Sequence, residues 1–242
     1  LVFFKQKTAY EITERIIEIA ASTGKVYTKQ YDKTTDLDLT KLNAGGYFYI
    51  SNPVTGETIT VEITNARFTS RETGDRDIIV ETATISGAGS AYYRIERFTL
   101  PGKIEPKKLG GVNSGENEGE IISKESLPDK TYDGTTGGAN GLTGAQIAAL
   151  FDMSKYTDET GLVVTSFDVE YGTSEVTDST TVIISNVRFN SQNYVIDRIY
   201  TTGKVVKAKV VIIPREGAYS IVGDTLPALG YTISGMPEHG AA

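Results

Sequence analysis

The chain has 242 residues, a net charge of −7, no Cys, no Trp, one His, 14 Tyr and 25 Gly. Without Cys there is no disulfide, no thiolate metal site and no Cys nucleophile. An acidic chain repels phosphate backbones, which argues against nucleic acid as a partner. No apolar run approaches the length of a membrane span.

In chain order, the first stretch is LVFFKQKTAYEI (1–12). It resembles the translated read-through of a sequencing adapter and is set aside from fold reasoning. ERIIEIAAS (14–22) follows, with Ile12, Ile16 and Ile19 at helical spacing. Its place just before a Lys-x-Tyr-Asp motif nevertheless predicts a strand over 15–21. We expect that strand to be the last of a preceding repeat, with its partners in that repeat, so that 1–24 is an N-terminal extension.

Residues 29–35 read KQYDKTT and 130–136 read KTYDGTT. Tyr31 and Tyr132 stand 101 residues apart, and the same offset carries Asp32 to Asp133, Thr34 to Thr135 and Thr35 to Thr136. It also carries Tyr93, Ile95 and Arg97 to Tyr194, Ile196 and Arg198, and Gly102-Lys103 to Gly203-Lys204. One register over this distance means two copies of one unit, here 25–108 and 126–209. In the first copy ETITVEIT (57–64), DIIVETATI (77–85) and YYRIERF (92–98) read as strands. In the second, LVVTSFDVEY (162–171), TTVIISNV (180–187), NYVIDRIY (193–200) and KVVKAKVVII (204–213) do. Short strands with regular turn signals predict an all-β chain of tandem β-sandwiches. One helix is expected from Gly144 to Asp152 of the second copy, where Thr143 and Gln146 fit a capping box. The first copy has NAGGYFYIS at that place, which predicts no helix there. Between the copies, residues 109–125 read as a flexible linker, rich in Gly, Asn and Glu. Residues 210–242 begin a further unit.

KTYDGTT, followed by alternating strands and a closing Asn-Tyr-x-Ile, resembles the YDG repeat of large bacterial surface and adhesin-like proteins. Lys130, Tyr132, Asp133, Gly134, Thr135 and Thr136 match that motif. The first copy has Lys33 where the family has Gly, which suggests that the position does not need a left-handed backbone. The tail, through Gly223, Asp224, Pro227, Leu229, Tyr231, Thr232, Ile233, Ser234 and Gly235, resembles the MBG repeat, with Val-Gly-Asp in place of Tyr-Gly-Asp. The resemblance implies immunoglobulin-like sandwiches outside the cell, on a bacterial surface or cell wall. They would serve as spacers, with no cofactor, no metal and no catalytic residues. The expected partners are further repeats of the same chain, and a glycan or matrix protein if the unit is adhesive.

Single residues carry two readings each. Asp32 and Asp133 are acids that could titrate or bind metal; repetition in register favours Asx turns that close on Thr34 and Thr135. Tyr31, Tyr132, Tyr93 and Tyr194 read as core aromatics whose hydroxyls meet backbone carbonyls. Tyr47 and Tyr49 could stack on sugar rings, or alternate in a strand with one face buried. Glu72, Asp75 and Asp77 could hold calcium, or form a hairpin tip neutralised by Arg71 and Arg76. A Lys–Asn isopeptide bond needs a buried triad that a sequence does not display. His239 alone supports no Ser-His-Asp triad. GAGSAYY (87–93) runs from strand to strand with no helix to receive a phosphate. The expectation is therefore a non-catalytic protein.

Overall fold

A computed structural model describes residues 14–236, apart from 53, 112–114, 116, 139–140, 218, 220, 224, 226–227 and 229. The adapter-like segment, His239 and three of the MBG-like positions (224, 227 and 229) lie outside the described residues. The chain is all-β, with two short helices, and divides into two compact units at Lys107/Lys108. No helix is long and apolar enough to cross a membrane.

The first unit contains β1 (Arg15–Ile17), β2 (Ile19–Ala21), β3 (Tyr27–Gln30), α1 (Leu39–Ala44), β4 (Phe48–Ile50), β5 (Ile59–Phe68), β6 (Gly74–Gly87), β7 (Tyr93–Ile95) and β8 (Phe98–Glu105). Its main sheet has the order β3-β8-β6-β5. Period-two alternation buries Ile63 and Phe68 of β5, Ile78 and Val80 of β6, and Leu100 and Ile104 of β8. Each such side chain withdrawn from water contributes about 1.5–3 kcal/mol.

The division between the units falls within β9 (Lys107–Lys108). The second unit continues with β10 (Glu120–Ser126), β11 (Lys130–Thr131), α2 (Gly144–Ala148), β12 (Val164–Tyr171), β13 (Thr177–Phe189) and β14 (Tyr194–Val206), then β15 (Val211–Pro214) and β16 (Tyr231–Ser234). Its sheet has the order β10-β14-β13-β12, with β11 also on β14. β15 and β16 form a separate antiparallel ribbon whose residues are all exposed.

The sequence repeat reappears in the pairing. β3 runs parallel to β8, with Lys29 opposite Ile104, and β11 runs parallel to β14, with Lys130 opposite Val205. Both partners have moved by 101 residues. A parallel neighbour for the entering strand is not written in any local pattern, because alternation specifies faces and not strand direction.

Four expectations are corrected. The strands at 15–21 do form, but their partners belong to the first unit: β1 pairs with β7 and β2 with β4. The expected linker 109–125 ends in a strand. β10 lies on β14, Ile121 is buried, and Leu109 is buried with its N–H donated to Val195 O at 2.8 Å. The two strands expected at 193–200 and 204–213 are one strand, β14, and a separate β15. Alternating burial runs on from Tyr194 through Thr201, Gly203 and Val205, so nothing interrupts the pairing. Finally, the helix is common to both units. α2 has the expected capping box of Thr143 and Gln146. In α1, Asp38 caps the helix by accepting the Lys41 N–H at 3.0 Å, while Tyr27 Oη accepts the Asp38 N–H at 2.9 Å. Each helix buries one residue completely, Leu42 or Ile147. A six-residue helix with a single apolar anchor is too short to leave a period.

Candidate functional site

The repeated motif forms the same knot in both units. Lys130 stands on the two-residue strand β11, and its side chain is 0 % exposed. Its ammonium donates to Asp133 Oδ1, and to Thr135 O at 3.0 Å. Asp133 Oδ1 also accepts the Thr135 N–H and hydroxyl, each at 2.9 Å. The Tyr171 ring lies under the ammonium, 5.9 Å from centroid to Nζ, within cation–π range. In the first unit Lys29 Nζ donates to Asp32 Oδ1 at 2.7 Å, Thr34 O at 3.0 Å and Asp36 O at 2.7 Å. Thr34 gives its N–H and hydroxyl to Asp32 at 2.9 Å, and the Phe68 ring lies 5.6 Å from the ammonium.

The chain folds this way because each residue of the motif closes one bond. Asp accepts from the backbone two residues on, as short carboxylates do in Asx turns. The residue between must be left-handed for Thr to reach back. Gly134 has φ of 79° and Lys33 has φ of 70°. The suggestion that position 33 does not need a left-handed backbone is therefore corrected: Lys33 adopts it at a steric cost that Gly134 avoids. The Tyr N–H anchors the turn to the last strand, Tyr31 to Glu105 O and Tyr132 to Val206 O, each at 2.8 Å. The final Thr carbonyl accepts from the aromatic: Thr35 O from Phe68 N–H at 2.9 Å, Thr136 O from Tyr171 N–H at 2.8 Å. Tyr31 is buried and Tyr132 half-buried.

A glycine completes each knot. An added Cβ on Gly102 would meet the Phe68 ring at 2.7 Å, and one on Gly203 the Tyr171 ring at 2.8 Å. The offset of Gly102-Lys103 to Gly203-Lys204 is thus a packing requirement, since the ring under the ammonium sits on bare backbone.

The electrostatics follow. Partial burial alone would raise the Asp133 and Asp32 carboxyls. The lysine ammonium and the threonine N–H and hydroxyl outweigh it, and both carboxyls are held below the ordinary aspartate range. An ammonium this enclosed costs several kcal/mol to bury unless its donors are met. In each unit the Asp, a carbonyl and a ring meet it. The knot has no nucleophile, no open coordination position and no cavity. The one buried lysine faces Asp133, with no Asn among its bonded partners, so the Lys–Asn isopeptide arrangement is not formed at this lysine.

The other candidates disperse. Tyr47 packs edge-on against Tyr27, centroids 5.5 Å apart, and lies over Gly45, where an added Cβ would meet the ring at 2.1 Å. Tyr49 projects from β4 and is 53 % exposed. The two do not form one face. Tyr93 and Tyr194 give their hydroxyls to the carboxylates of Glu57 and Glu159, not to backbone carbonyls, a correction. At the 70–77 tip, the Arg76 guanidinium donates to the carbonyls of Glu72, Thr73 and Asp75 at 3.1, 2.8 and 3.0 Å, and Arg71 pairs with Glu72 at 3.3 Å. The GAGSAYY segment makes one 3-10 turn, Ser90–Tyr92, between strands.

One feature of the surface escaped the sequence. A groove of about 620 Å³ runs in the second unit between residues 121–125 of β10 and residues 149–156. No motif residue lines it. Leu150, Phe151 and Tyr156 contribute apolar surface, and Lys124, Asp152 and Lys155 contribute charge. Only the mismatch between the copies after the helix hints at it.

No protein-family model matches the chain, and no curated protein matches it.

Proposed function

We propose that this chain is a non-catalytic spacer segment of a bacterial cell-surface or secreted adhesin-like protein, built of YDG-like units and the beginning of an MBG-like one. Each repeat would be an immunoglobulin-like sandwich. The observation that carries this reading is the duplicated knot. The only polar constellation repeated along the chain is spent on holding each unit's first strand, entry turn and central hairpin together, with its charges internally matched. Catalytic sites are seldom duplicated in register, whereas every unit of an array needs its own entry turn. The acidic composition keeps a dense array soluble.

Pulling the chain between residues 14 and 210 in a single-molecule force experiment tests the spacer reading. Two separate unfolding events are expected. Each should lengthen the chain by about 3.3–3.6 Å per released residue, less the folded span of the unit. One cooperative event for the whole chain would contradict it.

A second reading, an adhesive module for glycan or matrix protein, draws on one observation. The segments after α1 and α2 differ, a strand in the first unit and a 3-10 turn beside an open groove in the second.

A further inference from the structure

After the helix that buries Leu42, the first unit places β4, which pairs antiparallel with β2: Ile19 opposite Ile50, Ala20 opposite Tyr49, Ala21 opposite Phe48. Ser22 N–H to Tyr47 O at 2.9 Å and Ser51 N–H to Glu18 O at 2.8 Å extend the ladder at both ends. The N-terminal strand of that unit therefore has two neighbours, β7 and β4.

The second unit lacks the second neighbour. Phe48 stands six residues beyond Leu42; six beyond Ile147 stands Met153, which opens a 3-10 turn, Met153–Lys155, and not a strand. Asp152 starts that turn by accepting the Ser154 N–H at 3.1 Å and its hydroxyl at 2.7 Å. β10 is left as the edge of its sheet among the described residues, with β14 as its one strand partner. The beginning of β10 is covered, since Gly111 N–H donates to Glu120 O at 3.1 Å. Beyond it the groove opens along Ile121–Glu125, where Ile122 is 50 % exposed and Ser123 Oγ reaches Leu150 O at 2.6 Å.

We propose that this groove takes an extended peptide segment of another chain, laid antiparallel beside Ile121–Glu125 in the position that Phe48–Ile50 fills in the first unit. The first unit supplies the template for the occupant: a strand with aromatic and aliphatic residues, YFYI, on a Gly-rich approach. Main-chain bonds would give affinity, and alternate side chains would enter the apolar wall of Leu150 and Phe151. The competing reading is that β10 is a blunted edge. Lys124 and the register shift between Ile122 and Ser126 are devices that discourage strand addition. The inference goes beyond the spacer reading, and a spacer without this site would still give two unfolding events under force.

The test is fluorescence anisotropy of a labelled synthetic peptide with the sequence of residues 45–52, titrated with the whole chain. Saturable one-to-one binding is expected. It should weaken at least tenfold when the peptide nitrogens of the residues matching Phe48 and Ile50 are methylated, and likewise with I122K, whose melting is checked in parallel. The methylated peptide needs no variant, so the test survives if I122K fails to fold. Absence of saturable binding overturns the proposal and leaves the blunted edge. Binding indifferent to methylation, or a glycan occupying the groove in preference to the peptide, also overturns it.

Discussion

The two knots share residues, spacing and bonds, yet differ in depth. Lys130 has no exposed side-chain surface, whereas Lys29 keeps 11 % and adds a third carbonyl, from Asp36. The rings beneath differ as well, Tyr171 against Phe68. A deeper ammonium depends more on its single carboxylate, because solvent is a poorer substitute. The same motif is thus a stronger constraint in the second unit. The first unit spreads the charge over more acceptors and tolerates a strained lysine at position 33.

The largest effect expected from this comparison comes from removing the carboxylate. D133A leaves Lys130 enclosed with one carbonyl and a ring. Asp133 is itself 40 % exposed, so water reaches the vacated site. The loss is then below the 3–5 kcal/mol of a wholly buried pair, about 2 kcal/mol. D32A should cost less, about 1 kcal/mol, because Asp32 is 53 % exposed and Lys29 retains two carbonyls. Denaturant unfolding of the two variants measures the order.

Gly203→Ala comes next. The added methyl meets Tyr171 and Val182 at 2.8 and 3.0 Å, and overpacking of this kind costs about 1–3 kcal/mol. A melting temperature equal to that of the parent chain would show that the ring is not fixed over the glycine.

Acid sharpens the comparison. Both carboxyls are depressed in the folded state, so their stabilisation is present above the unfolded value of about 3.9 and is lost as pH falls through the folded one. The stability gap between the parent chain and D133N should therefore hold from pH 7 to about 4 and narrow below it. A gap that narrows instead between pH 7 and 5 would point to another group.

The smallest effect is a gain. K33G relieves a left-handed lysine, offset in part by the entropy that glycine adds to the unfolded chain. It should stabilise by about 0.5–1 kcal/mol, read as a rise in melting temperature.

What the sequence disclosed, it disclosed through spacing. The 101-residue offset exposed both units, and the Asp-x-Thr spacing was enough to write the turn, since an Asx bond is local. The lysine was legible as part of the motif but not as a buried ion, because burial depends on Phe68 and Tyr171, which lie 39 and 41 residues further on. β10 hid inside GGVNSGENEGEII because its pairing with β14 spans 78 residues and its single buried Ile121 makes no alternation. The ion-paired tyrosines Tyr93 and Tyr194 hid for the same reason: Glu57 and Glu159 reach them from 36 and 35 residues away.

The central claim is that the Asp of the motif exists to hold the buried lysine. A double-mutant cycle on Lys130 and Asp133 tests it most directly, with K130M, D133A and the double variant unfolded in denaturant. Methionine fills the lysine's space without its charge, so the double variant should be more stable than D133A, with a coupling of about 1 kcal/mol or more. Additive losses, with the double variant less stable than either single one, would mean that the two residues act apart and that the repeated motif serves something other than this knot.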